Sequence, residues 1–188
     1  MKKVGFFGGS FDPIHFGHIN LALELLEKRH LDEALFCPAF CSPFKGDHPP
    51  SLSKLERLEL LKLALEGVPH ARISTLELDR EGPSYTVDTI RELLKLEKSS
   101  FRLLLSEEAA ERIMEWREAQ ELVRLAPPLV GVRDPSSSSK GPFERVRTRV
   151  FEVSSTEIRE RLKRGLYCGH LIPPKALDYI LQNGLYSR

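Results

Sequence analysis

Eleven residues near the start of the chain, Gly8-Gly9-Ser10-Phe11-Asp12-Pro13-Ile14-His15-Phe16-Gly17-His18, combine the residue types needed to hold a phosphate chain. Glycines let a backbone approach a ligand closely, and imidazoles donate hydrogen bonds to anionic oxygens. His15 and His18 flank a glycine, so both rings can face the same anion. The stretch follows the apolar run 4–7, a predicted strand, and opens into Ile19, Ala22, Leu23 and Leu26, spaced as one face of an amphipathic helix. A strand, a glycine-rich turn and a helix in this order aim free amides and the positive helix end at a bound anion. The turn lacks both the Lys-Ser/Thr ending of a P-loop and the glycine spacing of the dinucleotide fingerprint. A second phosphate candidate lies near the other end of the chain. Ser154, Ser155 and Thr156 supply hydroxyls and amides at a predicted helix start, with Arg159 about one turn in. Ser154 and Glu157 also fit a plain capping box, and the two readings are compatible.

The elements that must carry these residues alternate between strand and helix. Predicted strands cover 4–7, 34–37, 72–78, 101–105, 129–132 and 150–153. Helices are expected from the capping-box pair Ser53 and Glu56 to about Gly67, around Val87, Ile90, Leu93 and Leu94, over 107–125, over 156–166 and over 175–183. The segments 38–50 and 135–142, rich in Pro or in Ser, Gly and Pro, read as loops. This order predicts an α/β fold with a doubly wound parallel sheet and C-terminal helices, in one domain spanning 1–188. In such sheets ligands sit beyond the carboxyl ends of the strands. That rule gathers 8–18, 38–45, 106–108 and 154–159 on one edge.

At 188 residues the chain is long enough to bury about 70% of its unfolded surface. A net charge of +1, with 29% charged residues, excludes a basic nucleic-acid stripe and an acidic disordered tail. No apolar run reaches membrane-spanning length, and the stretch after Lys2 and Lys3 is too short for a signal sequence. We therefore expect a cytoplasmic protein without nucleic-acid or membrane partners. Cys37, Cys41 and Cys168 are an odd number, and with His170 they match no standard zinc spacing, so neither a disulfide framework nor a resident metal site is expected.

The Gly-Gly-Ser-Phe-Asp-Pro-x-His-x-Gly-His pattern of residues 8–18 resembles the signature of the nucleotidylyltransferase superfamily. Two further segments narrow the resemblance. Gly82-Pro83-Ser84-Tyr85-Thr86-Val87-Asp88-Thr89 and Val153-Ser154-Ser155-Thr156-Glu157-Ile158-Arg159 are similar to elements of the bacterial nicotinate mononucleotide adenylyltransferases. Leu171-Ile172-Pro173, Tyr179-Ile180 and Gly184-Leu185-Tyr186 are similar to that family's C-terminal segment, so the likeness spans essentially the whole chain.

The resemblance implies a Rossmann-like fold and transfer of AMP from ATP to nicotinate mononucleotide, giving nicotinate adenine dinucleotide and pyrophosphate, with Mg²⁺ accompanying ATP. It implies that His15 and His18 are the catalytic donors. Gly8, Gly9, Ser10, Phe11, Ser106, Glu108, Ser155, Thr156 and Arg159 would then bind ATP, and Lys45, Tyr85, Thr86, Trp116 and Arg117 the mononucleotide. Association into a homo-oligomer is compatible with it. The chain departs from the family at Ser106-Glu107-Glu108, where Gly-x-Asp is usual, and at Ser42-Pro43-Phe44-Lys45, where Pro-Pro-His-Lys is usual. Ser106 with two following acids also reads as a favourable helix start. Alternatives at this point are a non-catalytic nucleotide-binding relative, or an adenylyltransferase acting on nicotinamide mononucleotide or pantetheine phosphate.

Overall fold

The computed structural model describes residues 1–43, 49–134 and 143–187. Six strands form one parallel sheet: β1 (Lys2–Gly9), β2 (Glu33–Pro38), β3 (Ala71–Ile73), β4 (Ser99–Ser106), β5 (Pro128–Val132) and β6 (Glu144–Arg147). Their order is β3-β2-β1-β4-β5-β6, and every neighbouring pair runs parallel. Order reverses between β1 and β4, so a crevice opens at their carboxyl ends, where Gly8, Gly9 and Ser106 lie.

Strand alternation sends successive side chains to opposite faces, and each face is covered by helices. Phe7, Phe36, Leu104 and Leu129 pack in one core with residues of α1 (Phe16–Lys28), α2 (Lys54–Leu65) and α7 (Pro174–Gln182). Val4, Phe6, Leu35, Leu103 and Leu105 pack in the other with α3 (Thr86–Leu96) and α5 (Ala119–Leu125). The remaining helices are the short α4 (Glu107–Glu111) and α6 (Ser155–Lys163). Among the described residues no helix is long and apolar enough to cross a membrane.

Three expected elements differ. The third strand covers only Ala71–Ile73, and the chain then turns at Thr75–Asp79, where the Asp79 amide bonds back to the Thr75 carbonyl. The continuous helix expected over 107–125 breaks into α4, a 3₁₀ turn at Ile113–Glu115 and α5, because Glu118 takes left-handed backbone angles (φ 50°, ψ 42°). The sixth strand is Glu144–Arg147 rather than 150–153. Val150 and Phe151 are half exposed, so their apolar character serves something other than a buried strand. The loop expected over 135–142 lies outside the described residues.

Candidate active site

The first turn owes its shape to local geometry. Gly8 and Gly9 still belong to β1, paired with Cys37 and Pro38. It is Phe11, not a glycine, that takes the left-handed conformation (φ 47°), and the Asp12–Pro13 peptide that follows is cis. The buried Phe11 ring packs edge-on against Phe7 and against His18, with its centroid 5.2 Å from the imidazole.

His15 and His18 cap α1 reciprocally. The His18 amide donates to His15 Nδ1 at 3.4 Å, and the His15 amide donates to His18 Nδ1 at 3.3 Å. A ring nitrogen that accepts an N–H bond carries no proton, so in its neutral form each ring holds its proton on Nε2. Each Nε2–H is then a donor. The rings stack with centroids 3.6 Å apart, an arrangement hostile to two positive charges. Burial pushes the His15 pKa down to about 4, so this imidazole is a neutral donor near pH 7. Gly17 permits the arrangement: a Cβ there would stand 2.9 Å from Val153 Cγ1 and 3.0 Å from His15 Nδ1.

Residues distant in sequence fasten this turn. The Ser155 hydroxyl donates to the Pro13 carbonyl at 2.9 Å, and Arg159 Nη1 donates to the Asp12 carbonyl at 2.7 Å. Arg159 Nη2 also reaches Thr156 Oγ1 at 3.1 Å. The Asp12 carboxylate accepts from the Ser51 amide and from the Tyr186 hydroxyl, both at 2.7 Å. Burial and the neighbouring Asp12 charge push the Tyr186 phenol upward, which keeps it protonated as a donor. The buried Arg57 gives two bonds from Nη1, to the Ser10 carbonyl at 2.7 Å and the Ala39 carbonyl at 2.8 Å, and one from Nη2 to Phe40. Arg57 thus ties the turn after β1 to the loop after β2.

A cavity of about 710 Å³ lies along this edge. Its lining includes Gly8, Gly9, Ser10, His15, His18, Ser106, Glu108, Ser155, Thr156 and Arg159, and also Tyr85, Thr86, Trp116 and Arg117. The two groups of residues expected from the sequence therefore share one open space. Phe11 is the exception, since its side chain is in the core and it does not line the cavity. Lys45 lies outside the described residues. Ser106 caps α4, its hydroxyl accepting from the Ala109 amide at 3.3 Å. Glu107 and Glu108 both line the cavity; Glu107 pairs with Arg145, and Glu108 is the more exposed of the two.

At the far end, Tyr85 precedes α3 without capping it through its side chain, and the Arg117 guanidinium lies 4.6 Å from the centre of the Tyr85 ring. Glu77 was not expected here. It is buried on the cavity wall, its carboxyl pushed upward by burial, and accepts from Thr89 Oγ1 at 2.8 Å and from the Ser84 hydroxyl. Ser84 in turn accepts the Phe40 amide at 2.9 Å, so Glu77 secures the segment leading into Tyr85 and Thr86. A lone glutamate in a mostly polar stretch carries no periodic signal of burial. Cys37 and Cys168 are buried, and among the described residues no three His, Cys, Asp or Glu side chains converge as a cation site.

A turn with two imidazole donors, hydroxyls and a guanidinium on one side, and aromatic residues on the other, suits a ligand carrying both a phosphate chain and a flat ring. Residues 6–161 match the family model described as cytidylyltransferase-like. Among curated proteins, the nicotinate-nucleotide adenylyltransferase of Bacillus subtilis is 40% identical over 191 residues, covering all of both chains. A Geobacillus kaustophilus protein named "Probable nicotinate-nucleotide adenylyltransferase" is 39% identical over all of this chain and 87% of its own. The chain belongs to the nicotinate-nucleotide adenylyltransferases. Among solved structures, the nicotinic acid mononucleotide adenylyltransferase of Plasmodium falciparum complexed with NaAD superposes with a TM-score of 0.82. It covers 100% of this chain and 98% of its own at 20% identity, a likeness of fold. The adenylyltransferase fold is thus present from the first strand to the last helix.

Proposed function

We propose that this chain transfers the AMP moiety of ATP to nicotinate mononucleotide, yielding nicotinate adenine dinucleotide and pyrophosphate. The observation that carries the reading is the single cavity joining the His15–His18 pair to the Tyr85–Trp116 enclosure, in a chain 40% identical to the Bacillus subtilis nicotinate-nucleotide adenylyltransferase along its full length. A phosphate oxygen of the mononucleotide attacks the α-phosphorus of ATP, and the bond to the β-phosphate oxygen breaks. The nucleophile is already anionic, so no side-chain base is required, and the work of the protein is orientation and charge stabilisation.

The Nε2–H groups of His15 and His18 donate to the triphosphate, where negative charge grows. Ser155, Thr156 and Arg159 hold its outer phosphates beside the amides around Gly9 and Ser10. Glu108 accepts the adenosine ribose hydroxyls, since Glu107 is engaged by Arg145. Mg²⁺ bound with ATP would supply charge neutralisation along the phosphates. At the other end, Tyr85 and Trp116 enclose the pyridine ring, and amides near Thr86 and Arg117 meet its carboxylate.

Pyrophosphate release from ATP and Mg²⁺ with each mononucleotide in turn tests the assignment. We expect the acid substrate to exceed the amide in kcat/KM by about 10-fold to 10⁴-fold, because the amide leaves a buried donor unpaired. Equal values for the two would overturn acid recognition, and no release with either would overturn the reaction.

A further inference from the structure

We propose that Arg91, on α3 and one helical turn beyond Asp88, is the positioning residue for the mononucleotide end of the cavity. It holds the turn Trp116-Arg117-Glu118 in the conformation that completes the enclosure. The inference rests on the functional reading above for the identity of the ligand, and on geometry alone for the placement.

Glu118 is a long side chain in the left-handed region (φ 50°, ψ 42°), where a Cβ is disfavoured. Such a conformation persists only where its surroundings over-determine it. Ile113 and Leu122, both fully buried, anchor the chain before and after the turn. Between them, Arg91 ties the turn to α3, beside the ion pair of Asp88 with Arg117. Its two terminal nitrogens grip both oxygens of Glu118, Nη1 to Oε1 at 3.2 Å and Nη2 to Oε2. Nη2 also bonds Glu121, and Nη1 reaches Asp88 Oδ1 at 3.3 Å. The second oxygen of Asp88 lies 3.6 Å from Arg117 Nη1, and the Arg117 guanidinium faces the Tyr85 ring. Asp88 and Glu118 each pair with both arginines, and so couple the Glu118 turn to the ring that lines the cavity. A fork with two parallel bonds fixes direction as well as distance, which a lysine ammonium does not. The Arg91 side chain is 33% exposed and that of Glu118 41%, so the variants below leave the core intact.

Trp116 is the sole tryptophan of the chain, which makes its fluorescence a direct report on this turn. In Arg91→Met we expect a red-shifted emission and stronger acrylamide quenching with unchanged far-UV circular dichroism. KM for nicotinate mononucleotide should rise about tenfold, the scale of a misplaced binding element, while kcat and KM for ATP stay within about twofold. Arg91→Lys should fall between the two. Adding Glu118→Gly to Arg91→Met removes the left-handed penalty and should return both emission and KM towards the parent values. Parent-like emission and KM in Arg91→Met, or an equal rise in KM for ATP, would overturn the proposal. If the parent protein turns over no nicotinate mononucleotide while Trp116 still shifts in Arg91→Met, the functional reading falls and the placement of the turn by Arg91 stands.

Discussion

The two ends of the cavity are each tied down by an arginine, and the ties are of opposite kinds. Arg57 is buried and gives its hydrogen bonds to three backbone carbonyls, those of Ser10, Ala39 and Phe40. Arg91 is on the surface and gives its bonds to carboxylates. A buried cation on carbonyls holds main chain in place wherever salt and solvent cannot compete, and breaking it strands desolvated acceptors. A surface cluster of charges contributes little to stability, yet it can choose between conformations of nearly equal energy. The phosphate end is accordingly built as part of the core, and the mononucleotide end as an adjustable rim.

The contrast can be broken most sharply at the histidines. On the proposed reading, His18→Ala removes a donor to charge that grows in the transition state. We expect kcat to fall by about 10² to 10³, or ~3 to 4 kcal/mol, with a smaller change in KM for ATP. Steady-state kinetics with turnover near the parent value would remove the phosphate end from the chemistry. Next comes Arg57→Met, which keeps the apolar stem and abandons three carbonyls. Denaturant unfolding should show a loss of about 3 kcal/mol, the scale of breaking one partner of a buried charged network. A stability loss no larger than that of Arg91→Met would erase the distinction between core tie and rim tie.

The smallest effect sharpens the comparison through pH. The His15 pKa falls to about 4 in the fold from an ordinary 6.5, so between these values the unfolded chain binds more protons than the folded one. Stability therefore drops as pH falls below 6.5 and levels off near 4. At pH 4.5 the cost is roughly 2 kcal/mol, since a tenfold change in proton concentration is worth about 1.4 kcal/mol across this window. His15→Asn retains a capping acceptor for the His18 amide and does not titrate. Unfolding free energies at pH 7 and pH 4.5 should differ less in the variant than in the parent by that amount; equal differences would mean that His15 is not held neutral by burial.

What could be read in the sequence was whatever is decided locally. The run 4–7, the glycine turn and the helix after it follow from periodicity and turn chemistry within one stretch, and the strand after that from its short apolar run. Residues 150–153 misled because β-branched and aromatic residues suggest a buried strand, while the pairing with β5 falls to the more polar Glu144–Arg147 at the sheet edge. The helix expected over 107–125 had no glycine or proline to mark its break at Glu118, whose left-handed turn is supported by Arg91 from another helix. Arg57 and Glu77 escaped notice for the same reason: each reads as a surface charge, and only tertiary burial and partners as far as 47 residues away for Arg57 and 12 for Glu77 reveal otherwise. The His15–His18 spacing announced two donors. Their reciprocal caps, which settle the protons on Nε2, required the helix to be seen.

The bond from Tyr186 to Asp12 joins residues separated by 174 positions, and Arg159 reaches the same turn across 147. On the ribosome, the turn that contains the histidines emerges long before either partner has been synthesised. The nascent chain can assemble β1 and α1 early, with Ser51 and Arg57 available to the turn between them, but the ties from Arg159 and Tyr186 come only later. These two ties are thereby deferred until the chain has been made through Tyr186, and a translation product stopped before Arg159 would carry the recognisable motif without either of them.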